Sequence, residues 1–336
     1  MVKVAVIGIG KMGISHLAIL GAHPEVEVVG VCDASGMIMD AISKYSPFRC
    51  FTDYRQMLAQ TEPDAVVIAV PTRFHAAMVE DMLERGLHVF VEKPFSLDPA
   101  ESQRLAEMAD RYQLVNQVGY HNKFIGTFNE AKKIVDEGLL GDIYHFHGQS
   151  YGPVVVKPKQ TSWRTNAAEG GGCLMDYASH VIDLVNYVLA PVSSVEASVM
   201  PHVFSGEVED AVYAMVGLEN NIRGMISVNW SDDTYRKMTT SITIIGTRGK
   251  LITDANELKL FLKEEQSAHR YHKGWNVRYV TDLTPTVDFY LRGEEYSAQI
   301  DHFIAGIMGR KRTGVNSFRS AAMTDMAIKL IKEEQI

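Results

Sequence analysis

Gly8-Ile9-Gly10-Lys11-Met12-Gly13 is the stretch on which the reading of the fold turns. The β-branched apolar run Lys3–Ile9 leads into it and reads as a buried strand. Lys11–Gly21 follows as a helix, with Met12, Leu17 and Leu20 spaced for one face. Strand, glycine turn and helix in immediate succession make a dinucleotide-binding corner. The first glycine permits the tight turn, the second lets backbone approach a pyrophosphate, and the third packs helix on strand. The helix start then offers free N–H groups to the diphosphate.

Asp33 stands twenty residues after Gly13, at the end of the next predicted strand, Glu27–Asp33. A carboxylate there accepts from the adenosine ribose hydroxyls and repels a 2′-phosphate. Ala34, Ser35 and Gly36 supply no Arg to hold such a phosphate, so NAD is expected over NADP. The alternative for Asp33 is a helix N-cap.

Outward from this corner, strands Ala65–Val70, His88–Val91 and Leu114–Val118 alternate with helices Ser35–Tyr45, Tyr54–Ala59, Arg73–Arg85 and Ala100–Tyr112. Such alternation predicts parallel βαβ units in a doubly wound α/β sheet. After about residue 120 the pattern changes. A helix over Phe128–Glu137 precedes strand-like stretches at Ile143–Tyr151, Ser194–His202, Ala211–Leu218, Ile222–Trp230, Thr240–Ile245 and Lys250–Thr253. Helical periodicity returns at Ala298–Met308 and Ser320–Ile331. This half reads as α+β on a large, mostly antiparallel sheet. Helices cover only part of such a sheet, so the remainder predicts a homodimer or homotetramer.

The 336 residues are 46% hydrophobic and carry a formal charge of −8, which favours neither a nucleic-acid partner nor a membrane surface. No apolar run reaches the roughly 18–20 residues of a membrane span, and the N-terminus reads as a strand rather than a signal peptide. Cys32, Cys50 and Cys173 are odd in number and far apart; no metal-type spacing is present, and a cytoplasmic location is expected.

Two segments fall at the carboxyl ends of later strands, where open α/β sheets bind ligands. Val70-Pro71-Thr72-Arg73-Phe74-His75 is one and Glu92-Lys93-Pro94 the other. Lys93, leaving a buried strand beside a proline, is placed to hold or polarise a substrate hydroxyl, unless it is a snorkelling surface lysine. A third segment, Gly170-Gly171-Gly172, precedes Asp176 and His180. If Leu174 onward is helical, Asp176 and His180 project from one face, and the carboxylate orients an imidazole base. The alternative is a helix cap plus a satisfied core histidine.

Together these motifs resemble the glucose–fructose oxidoreductase / inositol dehydrogenase / rhizopine-catabolism (Gfo/Idh/MocA) family, over essentially the whole chain. The resemblance implies an NAD-binding Rossmann domain over 1–120 and an α+β substrate-binding and oligomerisation domain over 121–336, with the final helices free to pack back on the first. It implies hydride transfer between NAD and a secondary hydroxyl of a sugar, sugar derivative, nucleotide sugar or cyclitol. It gives Lys93 the reacting hydroxyl, His180 the acid/base role and Asp176 the pairing with His180. Glu92, Thr72 and His75 fall near the nicotinamide. Tyr120 and Lys123 belong to a Gly-Tyr…Arg-Phe segment in which Lys123 replaces the commoner Arg. Trp163-Arg164 enters from the second domain as a further substrate contact. The same resemblance also covers NAD-dependent glycosidases with transient redox and non-catalytic dinucleotide-binding regulators, and leaves the direction of reaction open. The loop Lys157–Arg164 reads as an anion contact or a solvated loop, and Gly309–Gly314 as a basic surface turn.

Overall fold

The structure, a computed structural model, describes residues 1–158, 162–266, 268, 271–310 and 314–336. Three cations of the segments noted above, Lys159, Lys311 and Arg312, lie outside the described residues, as do Gln160, Thr161 and Thr313. The chain divides into two compact units, Met1–His121 with Thr286–Ala322, and Asn122–Pro285 with Met323–Ile336.

The first unit runs β1 (Val2–Ile7), α1 (Lys11–Ala22), β2 (Val26–Cys32), α2 (Gly36–Tyr45), β3 (Cys50–Phe51), α3 (Tyr54–Thr61), β4 (Ala65–Ile68), α4 (His75–Glu84), β5 (His88–Val91), α5 (Pro99–Tyr112) and β6 (Asn116–Val118). Its strands form a parallel sheet in the order β3-β2-β1-β4-β5-β6. Both faces are covered, so the strands read as continuous apolar runs. In β1, Ala5 and Ile7 face one core while Val4 and Val6 face the other. Caps follow local chemistry: Ser35 accepts from Ile38 N, Asp53 from Gln56 N, and Asp98 from Ala100 N ahead of Pro99.

The second unit holds α6 (Gly126–Asp136), β7 (Ile143–Tyr151), α7 (Ser179–Val188), β8 (Val192–Val199), β9 (Ala211–Leu218), β10 (Arg223–Asn229), β11 (Thr239–Gly246), β12 (Gly249–Asp254), β13 (Glu257–Leu262), β14 (Gly274–Tyr279) and α8 (Val280–Leu283). Its sheet, in the order β14-β13-β12-β11-β7-β10-β9-β8, is antiparallel except for β7 with β10. One face packs on helices; Val181, Val185 and Phe146 lie in that core. The opposite face leaves Met215, Met225, Trp275 and Tyr279 exposed.

The sequence reading omits β13 and β14. In β14 the inward position is Asn276, whose amide donates to Leu260 O and His272 O, so the strand lacks the apolar alternation that betrays one. β13 does alternate, with Leu258, Leu260 and Leu262 buried.

The C-terminal helices divide between the two units. α9 (Glu294–Ile307) belongs to the first unit, where Ile300, Phe303 and Ile304 join the core of β1, β4 and α1. In α10 (Phe318–Glu333), Phe318 and Ala321 lie in a first-unit core, and Ala327, Ile328 and Ile331 in the core of the second.

Candidate active site

The glycine turn links β1 to α1. Gly8 has φ +89°, and a Cβ there would lie 2.6 Å from Ala69 O. A Cβ on Gly13 would come within 1.8 Å of Gly8 O, so the helix can sit on the turn only with glycine. A Cβ on Gly10 would meet nothing within 4 Å. Gly10 is also the N-cap of α1, which has no side-chain cap and no acidic residue in its first turn, Lys11-Met12-Gly13. The helix start therefore faces open space with N–H groups awaiting an acceptor, as a diphosphate cradle requires.

Asp33 closes the turn from the side. Its Oδ2 accepts from Ile9 N at 2.7 Å and its Oδ1 from Ser35 N at 2.9 Å. The cap of α2 is Ser35, so the N-cap alternative for Asp33 falls away. A carboxylate has about four acceptor sites, which leaves capacity for ribose hydroxyls. The residues present thus fit a dinucleotide.

Val70, Pro71 and Thr72 follow β4, with Thr72 buried. His75, given to the cofactor by the family resemblance, is buried. Its Nε2 lies 2.9 Å from Val70 O, and its Nδ1 lies 3.0 Å from Pro94 O and 3.3 Å from Phe95 O. It staples the turn after β4 to the turn after β5. Burial pushes its pKa below the usual histidine value, against the pull of these carbonyls and of Glu92.

Glu92 is likewise engaged from within. Its Oε1 lies 2.6 Å from Nε2 of His16, a fully buried residue of α1, and its Oε2 accepts from Lys93 N at 3.2 Å. Burial pushes the carboxyl up, but the His16 hydrogen bond and charge, with Lys93, hold it below the ordinary carboxylate range. Lys93 itself is half-buried at the mouth of β5. His16 escaped the sequence reading; its signal was a polar residue on the buried face of α1, which demands a partner.

In the second unit, Leu174–Ala178 forms a π-helical turn that continues into α7, replacing the regular α-helix expected from Leu174. Such turns cluster at functional sites. Gly172, at φ +110°, precedes it; a Cβ there would lie 2.4 Å from Oε1 of Glu209, which accepts from Leu174 N. Asp176 and His180 are both buried. Asp176 Oδ2 accepts from Arg164 Nε at 2.8 Å, an ion pair that the spacing argument, which gave Asp176 to His180 alone, does not foresee. Trp163 is 43% exposed and stacks under the Arg164 guanidinium.

Two residues that the family resemblance gives to the substrate are buried. Tyr120 is packed in the first unit's core at 1% exposure. Lys123 is buried and pairs with Asp183 Oδ1 at 2.7 Å, above the Tyr187 ring. Both residues answer packing needs that the Gly-Tyr…Lys-Phe pattern alone does not reveal. Among the described residues no cluster of His, Cys, Asp or Glu is placed to hold a metal ion.

Comparison with known proteins decides the lineage. Residues 2–120 match the model of an oxidoreductase family with an NAD-binding Rossmann fold, and residues 128–252 match the GFO/IDH/MocA C-terminal domain. The chain belongs to the GFO/IDH/MocA family. D-glucoside 3-dehydrogenase of Escherichia coli (strain K12) is 29% identical over 189 residues, 56% of this chain and 54% of that one. The match thus spans about half of that relative's length. The rhizopine catabolism protein MocA of Rhizobium meliloti is 26% identical, covering 67% of this chain and 70% of its own. Among solved structures, levoglucosan dehydrogenase in complex with NADH and levoglucosan superposes with a TM-score of 0.87 at 22% identity, covering 99% of this chain and 96% of that one. This last likeness is one of fold. The GFO/IDH/MocA membership accounts for the pairing of a parallel six-stranded sheet with a largely antiparallel eight-stranded one.

Proposed function

We propose that this chain is an NAD-dependent dehydrogenase that moves hydride between the nicotinamide and a secondary hydroxyl of a sugar, sugar derivative, nucleotide sugar or cyclitol. The observation that carries the reading is the uncapped start of α1 at Gly10, open to a ligand and flanked by Asp33. Family membership and the sugar-hydroxyl activity in the name D-glucoside 3-dehydrogenase support the substrate class.

Bound NAD supplies the hydride acceptor. Backbone N–H groups of Lys11, Met12 and Gly13 hold the diphosphate, and Asp33 takes the ribose hydroxyls and disfavours a 2′-phosphate. His180 removes the hydroxyl proton as general base. Asp176, in its ion pair with Arg164, provides the negative charge that favours the imidazolium formed. Lys93 stabilises developing alkoxide charge. Trp163 and Arg164 line the approach of the substrate.

The exposed apolar side chains of the second sheet support a homodimer or homotetramer, with cytoplasmic residence favoured by three free cysteines. No helix among the described residues is long and apolar enough to cross a membrane.

A screen of polyols and nucleotide sugars for NADH formation tests the activity, with NADP in parallel. We expect NADH to accumulate with at least one cyclitol or sugar. His180→Ala should lower kcat by about a thousandfold while leaving NADH affinity within about threefold. Full activity in that variant would remove His180 from its role, and a strong preference for NADP would overturn the reading of Asp33.

A further inference from the structure

We infer that His16 is a positioning residue that holds the Glu92-Lys93-Pro94 turn against the dinucleotide helix, an inference that rests on the dehydrogenase reading above. His16 lies on the inner face of α1, six residues after Gly10, so it belongs to the same rigid element as the diphosphate cradle. Its ring is fully buried, edge-on to Phe90 of β5 with centroids 5.0 Å apart. Its Nε2 meets Glu92 Oε1 at 2.6 Å, and its Nδ1 has no hydrogen-bond partner among the described residues. The ring's polar engagement is therefore directed at Glu92.

The turn is built to receive it. Glu92 Oε2 accepts from Lys93 N, so the carboxylate ties the histidine to the backbone of the residue that carries the ammonium. Gly119 keeps the space clear, since a Cβ there would lie 2.9 Å from Glu92 Oε2. Burying a hydrogen-bonded polar pair confers little stability over an apolar pair of equal volume. Its return here is geometric. The pair joins the helix that starts at the cradle to the turn that presents Lys93, so a hydroxyl-polarising ammonium keeps a set place relative to the cofactor loop. The hold that the His16 charge and hydrogen bond exert on the Glu92 carboxyl agrees with this geometry.

The test compares His16→Phe, which keeps ring volume and loses the donor, with His16→Gln, which keeps a donor amide. Lysines are converted to ¹³C-dimethyl-lysine, which retains the charge, and the Lys93 signal is assigned with Lys93→Arg. His16→Phe should shift or broaden the Lys93 signal while those of Lys3 and Lys44 stay in place; His16→Gln should restore it. In unmodified protein, His16→Phe should lower kcat by about tenfold or more with NADH affinity within about threefold, and His16→Gln should recover most of the loss. If His16→Phe does not fold, Glu92→Gln replaces it and should move the Lys93 signal in the same way. An unmoved Lys93 signal, or equal losses in the Phe and Gln variants tracking their Tm, overturns the inference. Absence of NADH binding in the wild type defeats the dehydrogenase reading instead, and the Lys93 signal is then judged separately.

Discussion

Gly8, Gly10 and Gly13 share a residue type and differ in what a methyl group would meet. On Gly13 it would strike Gly8 O, so Gly13→Ala should cost about 1–3 kcal/mol as overpacking and lower the Tm. On Gly10 it would project into open space, so Gly10→Ala should leave the Tm unchanged and weaken NADH binding by about tenfold or more. Thermal unfolding and a fluorescence titration with NADH separate the two. A Gly10→Ala protein that binds NADH normally would move the diphosphate away from this turn. The motif was legible as a spacing in the sequence. That one glycine serves packing and another a ligand follows only from what surrounds each.

Among elements, α7 carries two different polar groups on consecutive turns. His180 is assigned to chemistry, whereas Asp183 binds Lys123 and Thr324 Oγ1, tying α7 to α10. Burial raises the Asp183 carboxyl to about 6 despite the lysine. Removing one partner strands the other in the core. Lys123→Met should therefore destabilise by about 3–5 kcal/mol, and Lys123→Met with Asp183→Leu should recover most of it. Denaturant unfolding checks both. If Lys123 were a substrate contact, the single variant would instead raise KM at constant stability. The Gly-Tyr…Lys-Phe pattern pointed to Lys123 as an anion contact because sequence shows a cation and hides its partner sixty residues away.

At the scale of the whole molecule, two properties follow from how faces are covered. His75 is buried with a depressed pKa, so the folded state holds fewer protons there than the unfolded chain. Its contribution to stability is present above the unfolded value near 6.5 and is lost as pH falls below it. Wild type should lose more stability than His75→Gln between pH 7.5 and pH 5.5 in denaturant titrations at the two values (about one pH unit either side of the free-histidine range). Parallel losses would show that His75 titrates as it does unfolded. The open face of the second sheet, with Met225 paired across to Met215, predicts an oligomer that sediments above the monomer mass. Met225→Glu should shift it toward monomer. A wild type that is monomeric at all concentrations would leave that face without a second copy.

The sequence by itself determined the parallel βαβ half, the glycine turn and Asp33, because each depends on chemistry within a few residues or on a period of burial. It also determined the family through spaced motifs. Tertiary structure decided that His75 and Glu92 turn inward, that His16 meets Glu92, that Lys123 meets Asp183, and that Thr286–Ala322 rejoins the first unit. A buried polar group takes whatever partner the fold brings within about 3 Å. In this chain those partners stand as far apart as His16 and Glu92, seventy-six residues along the sequence, where no local pattern records them.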